Sequence, residues 1–250
     1  FQREARTLAS LNHPNIAAIY GLVENAIVME LAEGRSLAEL IDGKPIPVPQ
    51  ALAIARQIAE ALDYAHERGV IHRDLKPAHV KITREGRIKD LDFGLAKALS
   101  LEPPAEMDPG DSPTLGASVT QAGVVLGTPV YMSPEQARGL PVDKRTDIWG
   151  FGAVVFEMLT GQQAFPGQTP SDSLAAVLKS DPVWTALPPD SPAPVRRMIR
   201  RCLQRDRQMR MRDIGEAIAD IDEALSGATE PSAPPIIPAP ESRYPKWLIA

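Results

Sequence analysis

Apolar residues in this chain recur with two different spacings, and the changes between them mark out its elements. Phe1, Ala5, Leu8 and Leu11 fall on one face of a helix. Residues 16–22 and 26–31 are apolar-rich runs around a short polar turn and predict two strands. Residues 36–41 predict a short helix with Ser36 as its cap. Residues 49–68 predict a long amphipathic one closed by Gly69, with Leu52, Ile54, Ala55, Ile58, Ala59, Leu62 and Ala65 on the core side. Two shorter apolar runs follow, Val70-Ile71 and residues 88–91. Both read as buried strands that carry an aspartate, Asp74 or Asp92, out at their ends. Residues 148–159, opened by Asp147 and stopped at Gly161, predict a helix apolar on nearly all sides, which belongs at the centre of a lobe. Further helices are predicted over 171–179, 193–204 and 212–225, with Arg196, Arg197, Arg200 and Arg201 read as a solvated face.

Between these elements lie stretches with no such period. Residues 100–121 are rich in Pro, Gly, Ser and Thr, a composition that buries too little apolar surface to order itself and predicts a mobile loop. Residues 227–245 are Pro- and Ala-rich and read as an extended linker. The end, RYPKWLIA, sets basic and aromatic residues before an apolar start, as at the approach to a membrane helix, so residues 246–250 are read as its first turn. The start, at Phe1 within a helical pattern, reads as a cut into a longer protein.

Composition narrows the classes. Hydrophobic residues make up 44% of the 250 but aromatics only 5%, so the core is expected to be mostly aliphatic. A net charge of −5 argues against a nucleic-acid partner held on a broad basic face. A single cysteine, Cys202 in an apparent helix, excludes an internal disulfide and reads as an inert packed thiol in a reducing, cytoplasmic setting. His66 reads as a polar residue near a helix end, without chemistry.

The two strand-end aspartates suit two tasks: orienting a hydroxyl and accepting its proton, and holding a hard cation through oxygen. Their setting, VIHRDLKPAHVKITREGRIKDLDFG over residues 70–94, resembles the eukaryotic-type protein kinases. His72-Arg73-Asp74-Leu75-Lys76-Pro77 is similar to their catalytic loop, Asp92-Phe93-Gly94 to their metal-binding triplet, and GTPVYMSPE over 127–135 to the close of their activation segment. The resemblance covers residues 1–226 and is closest to bacterial serine/threonine members. It implies an α+β, two-lobe fold. Residues 1–32 would be a remnant of the small lobe, and 33–226 the mostly helical large lobe with its activation segment at 92–135.

The resemblance also implies roles. Asp74 would receive the proton of a Ser or Thr hydroxyl and Lys76 would neutralise the transferring phosphoryl group of ATP. Glu4 would pair with a strand lysine. Met29 would be the gatekeeper, Glu30 to Ala32 the adenine-binding hinge, and Lys81 a further nucleotide contact. Asp92 would bind Mg2+, while His79 stands where the family has an asparagine, a change that weakens one site or favours Mn2+. Arg73, Thr120 and Thr128 would serve regulation and acceptor choice, with Thr120 the first choice as phosphosite. Asp147 would cap its helix and hold the backbone of the catalytic loop, and Glu135 would pair, buried, with Arg210. Asp90 occupies a strand position that is usually apolar; it is expected to be solvated at an edge or to weaken the strand.

The family's glycine-rich loop and strand lysine are not found in these residues, so activity is expected of an intact parent. Its partners would be protein substrates, with self-phosphorylation and dimerisation, and a membrane helix beyond residue 250 would hold it at the cytoplasmic face. Two readings stand: a protein kinase, or a pseudokinase used for nucleotide binding or scaffolding. A small-molecule phosphotransferase ranks third, because the long activation segment and its closing motif suit protein substrates.

Overall fold

A computed structural model describes residues 11–23, 26–91, 93 and 129–227. Strands β1 (Ile19–Val23) and β2 (Ala26–Met29) form an antiparallel pair. A second small sheet has the order β3-β4-β5, from Arg35–Ser36, Val80–Ile82 and Ile88–Asp90. The helices are α1 (Leu37–Ile41), α2 (Val48–Glu67), α3 (Pro134–Ala137), α4 (Arg145–Thr160), α5 (Pro170–Lys179), α6 (Ala193–Cys202) and α7 (Gly215–Gly227). Short 3-10 turns occupy Pro77–His79, Pro129–Tyr131 and Trp184–Ala186. The architecture is α+β, as the family resemblance implied.

Local chemistry explains most boundaries. Ser36 caps α1 through a reciprocal box: its hydroxyl accepts from the Glu39 amide while the Glu39 carboxylate accepts from the Ser36 amide. The end of α2 is a Schellman turn. Gly69 sits at φ 71°, its amide bonds to the His66 carbonyl, and the Val70 amide reaches back to Ala65. That turn corrects the expectation of a strand at Val70-Ile71: Val70 is drawn into the helix stop, and Ile71 enters the loop directly.

Helix α4 is the centre. Its residues from Thr146 to Phe156 are all buried, and α2 and α6 pack against it, with α7 lying across both of those. A helix without a polar face can only be satisfied by neighbours on every side. Gly152 permits the closest of these approaches, since a Cβ there would fall 2.5 Å from the Cβ of Cys202 on α6. The four arginines of α6 are not simply solvated. Arg197 binds Asp220 and Glu223 on α7, and Arg201 binds Glu216 there, tying the outer helices together.

The expectation of a solvated Asp90 at an edge is also overturned. β5 is not an edge: Asp90 pairs with Val80 on one side, and on the other its amide bonds to the Asn15 carbonyl while its own carbonyl accepts from Ala17. Alternation along β5 then turns Asp90 inward with Ile88, and it is 1% exposed.

Candidate active site

The loop 72–76 is held from below by one carboxylate. Asp147, in the first turn of α4, accepts from the amides of His72 (2.8 Å) and Arg73 (2.8 Å), and from His66 Nε2 on α2 (2.7 Å). Its carboxylate does not cap α4; Lys144 takes the cap position without a side-chain capping bond, its ammonium donating instead to Asp213. From the other side Gln136 of α3 donates to the Arg73 carbonyl (2.7 Å) while its Oε1 accepts from the Ser133 amide. These bonds hold Arg73 at φ 71°, a left-handed conformation that costs a non-glycine residue about 1–3 kcal/mol and persists only where surroundings enforce it.

On this support the Asp74 carboxylate meets two side chains, those of Lys76 and His79. Lys76 Nζ donates to Asp74 Oδ2 at 2.8 Å, both groups partly exposed. His79, in the turn Pro77–His79, brings Nδ1 to 3.7 Å from the same oxygen. The Leu91 amide bonds to the His79 carbonyl (3.0 Å), which draws the residue before Asp92 against this turn. Behind the loop lies His72, fully buried, with Nε2 on Asp90 Oδ1 (3.0 Å) and its ring 4.5 Å from that of Phe93.

The remaining sequence candidates fall as follows. Met29 is half-buried at the end of β2, opposite Ile19. The Glu30 amide bonds to the Ala18 carbonyl, and its carboxylate takes the Ala18 amide and Lys89 Nζ. Burial raises the Glu30 pKa, but Lys89 and the Ala18 amide outweigh it and hold it below the usual carboxylate value. Ala32 is half-buried in the segment leading to β3. Lys81 lies mid-β4 between Ser36 and Lys89, and its charge acts on Glu39 at the start of α1. Glu4, Asp92, Thr120 and Thr128 lie outside the described residues, as do the expected mobile loop, the apolar end and the linker apart from Gly227, which closes α7 instead. Among the described residues no group of three His, Cys, Asp or Glu is disposed to hold a metal.

The close of the segment is buried in the large body of helices. Arg210 gives Glu135 two bonds (2.6 and 3.0 Å), and Thr146 adds a third to the carboxylate. Sequence reasoning named this pair and the Asp147 anchor, but missed His66, Gln136 and the His72–Asp90 contact.

An acid thus stands beside a lysine on a loop anchored to the central helix, and residues 1–220 match the protein kinase domain family. The chain belongs to the protein kinase family. Among its relatives is the serine/threonine-protein kinase PknB of Mycobacterium leprae, 35% identical over 252 residues, covering 95% of this chain and 37% of that protein. The kinase pkn2 of Myxococcus xanthus is 35% identical over 260 residues, 97% of this chain and 29% of the relative. PknB of Mycolicibacterium smegmatis is 39% identical over 193 residues, 73% and 29% of the two. The chain spans about a third of the length of these curated relatives.

Proposed function

We propose that the intact protein is a serine/threonine kinase that transfers the γ-phosphoryl group of ATP to Ser or Thr hydroxyls of proteins. The observation that carries this is the Asp74–Lys76 pair at 2.8 Å on a loop fastened at both faces. Asp74 orients the acceptor hydroxyl and takes its proton; Lys76, already beside it, offsets charge on the group in transfer. Adenine recognition falls to the Glu30 carbonyl and the Ala32 amide, because the Glu30 amide is taken by Ala18. ATP supplies the phosphoryl group, and a divalent cation screens its charge.

The donor chemistry of this chain fits one such cation through Asp92. At the second position His79 offers a nitrogen in place of an amide oxygen, and this tilts the site from Mg2+ towards Mn2+. Arg73 supports control by phosphorylation: among the described residues its buried Nε has no hydrogen-bond partner, and a guanidinium is well shaped to take two oxygens of a phosphate. Thr120 remains the first choice of phosphosite and Thr128 the residue that selects hydroxyl acceptors. Self-phosphorylation and dimerisation belong to the same reading. The basic-aromatic end of the chain favours a membrane anchor beyond residue 250; among the described residues no helix is long and apolar enough to cross a membrane.

The alternative, a pseudokinase acting as a nucleotide-binding or scaffolding module, is favoured by His79 and Asp90, against the retained Asp74, Lys76 and Asp92. The deciding experiment gives the intact protein labelled ATP, with itself and a generic protein as acceptors, in Mg2+ or Mn2+. Asp74→Asn is expected to lower transfer about a hundredfold or more, and His79→Asn to raise the rate in Mg2+ relative to Mn2+. Equal signal from wild type and Asp74→Asn would remove the enzyme reading.

A further inference from the structure

Asp90 is a buried acid that the transfer chemistry leaves unused. A carboxylate moved out of water costs several kcal/mol unless it is paired, and an apolar side chain would serve β5 without that cost. Among the described residues, its Oδ2 is buried without a partner and its Oδ1 has one, His72 Nε2 at 3.0 Å. Whatever Asp90 contributes through its side chain therefore passes through that ring.

The His72 ring, in turn, is placed between the two catalytic motifs. Its face lies against Phe93 at 4.5 Å with a 51° tilt, and its Nδ1 receives the Asp74 amide at 3.3 Å. Its own amide is held by Asp147. Asp90 meanwhile is fixed by backbone bonds to Asn15 and Ala17 on one side and by the Val80 register on the other. Burial pushes the ring pKa of His72 down, but Asp90, Asp147 and Asp74 pull it up to about 9. The Asp74 N–H aimed at Nδ1 works against a second proton there. In either state the Nε2 proton points at Asp90, so the placement of the ring does not depend on which pull prevails.

We propose that Asp90 is a positioning residue: by holding His72 Nε2 it sets the imidazole between Phe93 and the Asp74 amide, and so aligns Asp74 with Phe93. The proposal rests on the reading of Asp74 as the group that receives the substrate hydroxyl.

The test compares Asp90→Leu with Asp90→Asn in the intact protein, Asn keeping an oxygen for Nε2. Asp90→Leu is expected to lower kcat about tenfold, with the KM for ATP within about twofold of wild type, and Asp90→Asn to recover most of the loss. Amide exchange gives a readout that needs no activity. The Asp74 amide should exchange about tenfold faster in Asp90→Leu but not in Asp90→Asn, while the Arg73 amide, held by Asp147, keeps its rate in both. A wild-type kcat in Asp90→Leu, an Asn variant as impaired as the Leu variant, or an unchanged Asp74 exchange rate would overturn the proposal. If wild type itself shows no Asp74-dependent transfer, the kinase reading falls and the exchange rates alone decide the positioning.

Discussion

Three donors converge on Asp147, and two of them are backbone amides of the loop that carries Asp74. Only a carboxylate can accept from all three, because the amide of an asparagine would set an N–H against one of the donors. Asp147→Asn is therefore expected to lower phosphate transfer about tenfold or more, since a hydrogen bond to a charged group is worth about 1.5–3 kcal/mol. Steady-state kinetics read beside a thermal melt will check it, and a loss of rate larger than the melt accounts for is the expected pattern. At this scale the motif residues Asp74, Lys76 and Arg73 were legible because they are contiguous. His66, Gln136 and Asp90 were not, because their partners lie 81, 63 and 18 positions away and no local spacing reports them.

Short elements are held here by their ends. α3 is four residues long, too short to be stable on its own, yet it closes the activation segment and supplies Gln136 to the catalytic loop. It is pinned by Ser133 at its cap and by Glu135, whose carboxylate meets the fully buried Arg210. Burial raises the Glu135 pKa, but the Arg210 bonds and charge and the Thr146 hydroxyl outweigh it, and the pKa lies below the usual carboxylate value. A depressed folded-state pKa means stability that is fully present above the unfolded value of about 4.3 and lost as pH falls through the folded one. Glu135→Gln is thus expected to cost about 3–5 kcal/mol at neutral pH, with the gap to wild type closing below about pH 4. Melting temperatures of the two proteins between pH 7 and pH 3 test this, and a gap independent of pH would count against it.

At the scale of the whole molecule, α4 organises the fold: the catalytic loop, the closing segment (through Thr146 and Glu135) and α6 are all fastened to it. Cys202 reports on that packing. Burial raises its thiol pKa to about 12, and its Cβ faces Gly152 of α4, so the native protein is expected to resist an aromatic disulfide reagent that labels the unfolded chain at once. Labelling in denaturant should follow unfolding measured by circular dichroism; labelling ahead of it would show that α6 opens from α4 locally. The periodicities determined α1, α2 and α4 to α7 and the centrality of α4, and composition the mostly aliphatic core, because each is read from residues near one another in sequence or from their totals. Contiguous motifs likewise carried the family and the positions of the acid and its lysine. Only the tertiary structure decided the rest: that Val70 ends a helix rather than starting a strand, that His66 and Gln136 brace the loop, and that Asp90 is the inward partner of His72. A side chain's partner is set by which distant backbone packs against it, and that distance in space is not written in the spacing of the sequence.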